Sequence, residues 1–479
     1  MTPAFSSSRL FYNIAMLSQD QSFFFVGVAG SGMSAIAVYL AGKGFAVSGS
    51  DRKFSGADGD GIRAKLEAAG VRTFPQDGSG VCPGISAIVV STAIEESNPD
   101  LKRALELGVP RMHRSEMLAK ISESVKTICV SGTSGKSTVT GMIWHILNEA
   151  NLSPSLLSGA GLVSLERRGM LGNGIAGKGE WLVAESDESD GTLVRYSPEI
   201  GVILNIGKDH KEISELQKIF AKFSENITGK GKTLIVNEAD ELANAFSVNH
   251  LDDFGLEAKA GVQGMDFSPE GYSITFRVRH LGELVRFKVP LPGFHNMMNA
   301  LAAVAVSLKV GVSLCKCAEA LESFEGIHRR HQILGTFHGV TVVDDFAHNP
   351  AKIAASIRAA QDFTQGRVIA YFQPHGFGPT RFLRNDLVDA ISRTLRSQDA
   401  IFLSEIYYAG GTVSRDISSA DLVEDLKRKN ATAYFVSNRD ECGREMVRFS
   451  TSGDTILIMG ARDPSLSDFA KTVAKELEQ

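Results

Sequence analysis

A chain of 479 residues, 43% hydrophobic and 22% charged, has the make-up of a globular protein and room for roughly two to four domains. Its formal net charge of -5 and pI near 6.2 offer no basic surface for nucleic acid or an anionic membrane, so any bound anion must be held by local cations and helix ends. The five cysteines (Cys82, Cys129, Cys315, Cys317 and Cys442) lack zinc-type or disulfide-framework spacing, which fits a reducing cytoplasm. Arg9, Asn13 and several serines interrupt the first twenty residues, and no run of about 18 apolar residues occurs, so neither signal peptide nor membrane insertion is expected.

The first segment alternates apolar strands with helical patterns: FFFVGV, SGMSAIAVYLAGKG, AVSGSD and later AIVVSTA. This is βαβ grammar and predicts a parallel α/β domain over residues 1–124, with a boundary near ISESVK. Its first turn, VGVAGSGMS, resembles a dinucleotide fingerprint with altered glycine spacing, and Asp51 follows about twenty residues later, where a ribose-binding acid would stand. An ordinary tight turn is the alternative.

A second domain is expected over residues 125–325. The strand KTICV leads into VSGTSGKSTVTGM, and a helix follows with Val139, Met142, Ile143, Ile146 and Leu147 apolar at helical spacing. Gly132, Gly135, Lys136 and Ser137 supply the parts of a P-loop: glycines that let backbone N–H groups curl around phosphate, a lysine to counter its charge, and a hydroxyl for a metal. Val130 stands where the usual first glycine would be, so a plain glycine-rich turn remains the alternative. Magnesium requires hard oxygen ligands at neighbouring strand ends. The strand-end segments WLVAESDESD and ILNIGKDH bring Glu185, Asp187, Glu188, Asp190, Asp209 and His210, which taken singly also fit solvated loops.

From GVTVVDDFAHNP onward the apolar runs RVIAYFQP, AIFLSEIYYAGG, ATAYFVS and TILIMGARD alternate with amphipathic stretches, predicting a third α/β domain over residues 326–479. The expected fold class is thus α/β in three domains: Rossmann-like, a central P-loop ATPase-type mixed sheet, and a second Rossmann-like unit.

Taken in order, these motifs resemble the Mur ligase family, the ATP-dependent amino-acid ligases of peptidoglycan assembly, over essentially the whole chain. GTSGKST is similar to the family's variant P-loop, AESDESDGT to its acidic block and NIGKDH to its N-x-x-x-D-H block. GFHNMMNALAA, HRRHQILG and VVDDFAHNP resemble its H-N-x-x-N, R-R and D-D-[YF]-[AG]-H-H-P blocks. The resemblance implies that the two glycine-rich loops serve two nucleotides: a UDP-sugar, with UDP-N-acetylmuramate expected, on the first domain, and Mg-ATP on the second. The third domain would bring the amino acid, L-alanine first among candidates because VVSTAI and HRSEMLA look like the alanine-adding members.

Carried over residue by residue, Gly132, Thr133, Ser134, Gly135, Lys136, Ser137 and Thr138 would wrap the ATP phosphates, and Ser137, Glu185 and His210 would hold Mg2+. His295, Asn296 and Asn299 would contact adenine, Arg330 the phosphates and Asp344 the ribose. Gly30, Ser31, Gly32, Met33 and Asp51 would line the sugar-nucleotide site, while His348 and His375 would face substrate. Lys136, His210, Arg330, Asp344 and His348 are the expected catalytic set. Some members carbamylate a lysine, and Lys218 and Lys222 lie in the corresponding region.

The pattern breaks in the third domain. FQPHGFGPTR puts Gly376 and Pro379 where alanine-adding members carry arginines, Asn349 replaces the second histidine of the H-H-P block, and Gly411 stands where Glu is usual. Arginine grips a carboxylate through two parallel hydrogen bonds, so these losses remove the obvious acceptor anchor and leave Arg381 or Arg384 as substitutes. Two rival readings follow: a murein-peptide recycling ligase or divergent paralogue with another acceptor, and, from a different class, a P-loop ATPase or regulatory binding protein that ligates nothing.

Overall fold

The computed structural model describes residues 17–56, 59–188, 191–208, 211–408, 410 and 414–478. Among the described residues there are four sheets. The first is wholly parallel, in the order Arg72–Phe74, Ala46–Ser50, Ser22–Val26, Ala87–Val90, Arg111–His113. Its central strand reads SFFFV without alternation because helices cover both faces.

The second sheet runs Thr233–Val236, Ile200–Ile203, Lys126–Ser131, Trp181–Glu185, Ser155–Leu157, Gly174–Ile175, parallel except for the antiparallel last strand. The mixed sheet expected from the sequence is therefore present. Helices Lys136–Glu149 and Phe294–Val310 pack together under it, and on their far side lies a sheet of Phe254–Gly255, Val262–Glu270, Ser273–His280 and Glu283–Val289. Val139, Met142, Ile143, Ile146 and Leu147 are fully buried in this core, as their spacing requires.

The first two units share packing. The core of the first continues into Leu157, Leu182 and Ala184 of the second, and helix Ser31–Gly42 lies so close to Gly174 that a Cβ there would sit 2.6 Å from the Ala35 carbonyl oxygen. The third unit has two cores of its own, one on each face of a sheet ordered Gln332–Phe337, Val340–Asp345, Thr455–Gly460, Val368–Gln373, Ala400–Leu403, Ala433–Phe435. Only its first pairing is antiparallel. The crossing into this unit contains Gly326, Arg329 and His331 at φ of 91°, 52° and 52°, so two non-glycine residues hold a left-handed conformation there.

Candidate active site

A cavity of about 660 Å3 opens where the carboxyl ends of the second and fourth sheets face each other, the usual position for a ligand in open α/β sheets. Its floor is the loop between strand Lys126–Ser131 and helix Lys136–Glu149. Gly132 and Gly135 take φ of 140° and 86°, and a Cβ on Gly135 would meet Asn299 Oδ1 at 2.6 Å. Both positions therefore demand glycine. Asn205, just past strand Ile200–Ile203, clamps the loop: its Oδ1 accepts from Ser134 N–H (2.8 Å) and the Thr133 hydroxyl (2.9 Å), and its Nδ2 donates to the Ser134 carbonyl (3.0 Å).

Lys136 Nζ donates to the Gly132 carbonyl (2.8 Å) and Glu188 Oε2 (2.7 Å), with Asp187 at 3.8 Å. Burial works against the ammonium, but the surrounding carboxylates of Glu188, Asp187 and Glu185 outweigh it and hold its pKa above the ordinary value. Burial, helped by Asp187, raises Glu188 in turn. The amine is thus held charged at the mouth of a helix N-terminus.

Beside it, the Ser137 hydroxyl donates to Glu185 Oε2 (2.8 Å), which also accepts Gly159 N–H (2.7 Å). A hydroxyl and a carboxylate converging next to a phosphate cradle are the hard oxygen donors magnesium prefers, so this corner fits the ion. His210, with Asp190 and Asp209, lies outside the described residues.

The roof comes from two further elements. At the start of helix Phe294–Val310, Asn296 Nδ2 donates to the Pro292 carbonyl (2.8 Å) and Asn299 Nδ2 to Asn296 Oδ1 (3.0 Å), so His295, Asn296 and Asn299 reach the cavity as one braced turn. Burial, with a contribution from His331, pushes the His295 imidazole down to about 4, so it stays neutral. From the third unit come Arg330, whose guanidinium lies 4.6 Å from the centre of the Phe346 ring, and His348 and His375, with ring centres 5.6 Å apart. The Phe346 carbonyl lies 2.8 Å from His348 Nδ1, which fixes Nδ1 as the protonated nitrogen and leaves Nε2, 3.5 Å from Lys352 Nζ, as the acceptor atom.

Several expected residues sit elsewhere. The Asp344 side chain is buried away from the cavity, accepting from Arg329 Nε (3.1 Å) and the Ser467 hydroxyl (2.7 Å), while Asp345 lines the cavity instead. The cause is strand alternation, since adjacent residues of Val340–Asp345 point to opposite faces. Gly132 shapes the loop from behind the cavity wall, packed on Leu204 and Asn205. Arg381 and Arg384 pair with Asp416 and Asp425, and neither lines the cavity. Lys218 and Lys222 are exposed on helix Ile213–Thr228, Lys222 beside Glu225. Gly411 lies outside the described residues, and Asn349 caps helix Pro350–Phe363 by accepting Lys352 N–H (2.9 Å).

The first loop is a separate place. Gly30 is the N-cap of helix Ser31–Gly42, and Asp51 Oδ2 accepts Ala29 N–H (3.0 Å) while its Oδ1 accepts Lys53 N–H (3.1 Å), so Asp51 braces the turn from within. Arg114, from the HRSE stretch, lies over the loop: a Cβ on Gly32 would come within 2.2 Å of its guanidinium. Asn173 of the second unit donates to the Ser31 carbonyl (2.7 Å) and is 2.9 Å from Ser34 Oγ. Met33 is buried beneath.

Asn205, Asp345, Glu188 and Arg114 were each within quoted motifs, as the Asn of NIGKDH, the second Asp of VVDD, the second Glu of ESDES and the Arg of HRSE. Spacing marks the motif and leaves open which neighbour faces the cavity. Asn237, Lys352 and Arg462, which also line it, carry no local sequence signal.

A phosphate cradle with a charged lysine and a hydroxyl–carboxylate corner, roofed by a second α/β unit, defines a P-loop nucleotide-binding protein of three α/β units. Residues 22–126 match the Mur ligase family catalytic domain, 130–307 the Mur ligase middle domain and 329–462 the Mur ligase glutamate ligase domain. The chain belongs to the Mur ligase family. It is 33% identical to the UDP-N-acetylmuramate--L-alanine ligase of Syntrophomonas wolfei, over 91% of this chain and 94% of that protein. It is also 33% identical to the enzyme of the same name from Jannaschia sp., over 95% and 98%. Among solved structures, the UDP-N-acetylmuramate-alanine ligase of Thermotoga maritima superposes with a TM-score of 0.77 at 26% identity, covering 95% of this chain and 98% of that one. A murein peptide ligase from Psychrobacter arcticus shares the fold, with a TM-score of 0.65 at 20% identity and coverage of 96% and 99%.

Proposed function

We propose that the protein is an ATP-dependent ligase that forms an amide between the carboxylate of UDP-N-acetylmuramate and L-alanine in peptidoglycan precursor synthesis. The observation that carries this reading is a single cavity whose floor holds Lys136, Ser137 and Glu185 and whose opposite wall holds Arg330, His348 and His375. A phosphoryl-transfer cradle facing a second substrate-binding wall suits a two-step ligation. Residues 1–124 would take the sugar nucleotide, 125–325 the ATP and 326–479 the amino acid.

In the first step a carboxylate oxygen of the sugar attacks the γ-phosphorus of ATP, giving an acyl phosphate and ADP. Lys136 is the cation for the β- and γ-oxygens; when they arrive they take over the role Glu188 has as its counter-ion. Ser137, Glu185 and His210 would hold Mg2+, which neutralises charge on the transferring phosphoryl group when bound. Asn205 fixes the loop N–H groups beforehand, so little reorganisation is left for the reaction. In the second step the amine of L-alanine attacks the acyl carbon, the tetrahedral intermediate expels inorganic phosphate, and the amine loses a proton, for which His348 Nε2 is the acceptor atom on that wall.

With ATP plentiful in the cytoplasm and all five cysteines free, a cytoplasmic location follows from this reading. Among the described residues no helix is long and apolar enough to cross a membrane.

The test is phosphate release from ATP with each component omitted in turn, with mass spectrometry of the product. Release that requires both UDP-N-acetylmuramate and L-alanine, with a product heavier by one alanyl residue, supports the proposal. Release driven by a muramyl-type tripeptide instead moves the protein to peptide recycling, and release with neither substrate makes it a plain ATPase.

A further inference from the structure

The incoming amino acid brings a carboxylate into a wall that has lost its expected arginines to Gly376 and Pro379, and the nearby Arg381 and Arg384 are spent on Asp416 and Asp425. We infer that Arg462 is the residue that anchors the acceptor carboxylate and so selects a free α-amino acid. The inference rests on the ligase reading above.

Arg462 follows strand Thr455–Gly460, at the carboxyl end of the sheet, and lines the cavity on the same wall as His348, Lys352 and His375. It sits in a three-residue turn: Asp463 N–H donates to the Ala461 carbonyl at 2.8 Å, with Arg462 between them at φ 68°. A γ-turn with positive φ is rare, and it is strained for any side chain other than glycine.

The turn is held from below. Asp463 is buried, its Oδ2 accepting from Arg439 (2.7 Å) and its Oδ1 from the Ser465 hydroxyl (2.6 Å) and Ser465 N–H (2.9 Å). The nearest carboxylate in sequence is therefore already occupied. Arg462 is exposed and makes no ion pair among the described residues.

The alternatives on this cavity have other surroundings. Lys136 is engaged on the loop, Arg330 lies over the Phe346 ring toward the nucleotide side with Asp345 and Glu185 as its charged neighbours, and Lys352 lies against His348. Arg462 offers a fork of donors without a fixed partner, which is the geometry that recognises a carboxylate bidentately. A strained arginine in a turn that glycine would fill at no cost is the mark of a residue kept for a ligand.

The experiment is steady-state kinetics on the full chain with Arg462→Gly and Arg462→Lys, using L-alanine and L-alaninamide as acceptors. Arg462→Gly is expected to raise KM for L-alanine by about tenfold or more while KM for ATP and for UDP-N-acetylmuramate stays within about twofold. Because glycine relieves the strained φ, the melting temperature is expected to hold or rise, which separates a lost anchor from a damaged fold. The wild type is expected to prefer L-alanine over its amide and Arg462→Gly to treat them alike, with Arg462→Lys in between. An unchanged KM for L-alanine overturns the inference and leaves the ligase reading standing, as does a rise confined to KM for ATP. Absence of amino-acid-dependent turnover in the wild type overturns the ligase reading itself.

Discussion

The two glycine-rich loops follow the same strand–turn–helix plan and differ in what surrounds them. At Gly30–Met33 the turn is braced by Asp51, whose two oxygens serve backbone N–H groups, and a cation, Arg114, reaches over it from another helix. At Gly132–Thr138 the brace is Asn205, and the loop itself carries Lys136 and Ser137, faced by Glu188 and Glu185. A helix N-terminus with one arginine can hold an anion in place. Stabilising a phosphoryl group in transit takes a buried cation and a metal corner as well, so under the proposed function the first loop positions substrate and the second does chemistry.

The largest effect expected from this contrast is at Lys136. Replacing it with alanine removes the only charge the second loop contributes itself, and turnover should fall on the order of 10³-fold or more. Sugar-nucleotide affinity, measured by calorimetry, should stay nearly unchanged because the first loop is a separate place on the molecule. If both fall together, the division of labour between the loops is wrong.

Asn205→Ala sharpens the comparison at a smaller scale. It deletes three hydrogen bonds to Thr133 and Ser134 without removing any charged group. The loop N–H groups would then have to be ordered by the nucleotide itself, and KM for ATP should rise about tenfold. An equal fall in kcat with KM unchanged would show that the brace acts only in the transition state.

The roof of the second loop carries a pH signature of its own. His295 is held neutral with its pKa near 4, against an ordinary value of 6.5. Protonation therefore favours the unfolded chain between these values: the contribution is fully present above about 6.5 and is lost as pH falls through 4. His295→Gln should flatten the decline of the melting temperature between pH 7 and pH 5 relative to the wild type. An identical slope in the two proteins would mean that His295 is hydrated and titrates normally.

Much of this arrangement is legible in the sequence, and the illegible part has a common physical cause. Uninterrupted apolar runs such as FFFV and TILIM mark strands covered on both faces, and the helical spacing from Val139 to Leu147 marks the buried stripe behind the second loop. The glycines and Lys136 are readable because their chemistry is local. Which of two adjacent acids faces a cavity depends on strand phase, and so Asp345 rather than Asp344 lines it. Arg462 is invisible for another reason: its position follows from a turn whose next residue, Asp463, is held by Arg439, 24 positions away from Asp463 and brought to it only in the fold.

The smallest expected effect is at Gly32, where the two loops invert each other's logic. At Gly135 a Cβ meets Asn299 and φ is positive, so alanine there should destabilise the fold by about 1–2 kcal/mol and disturb ATP binding as well. Gly32 lies in the first turn of helix Ser31–Gly42, and what its Cβ meets is the far end of a flexible arginine. Gly32→Ala should leave stability unchanged or raise it by a few tenths of a kcal/mol, since alanine favours the helix. The Arg114 guanidinium would be pushed off the loop, and sugar-nucleotide affinity should fall several-fold while KM for ATP does not move. Unchanged affinity would mean that the first loop does not hold the diphosphate through Arg114, and the anion site would then have to be sought elsewhere on the first sheet.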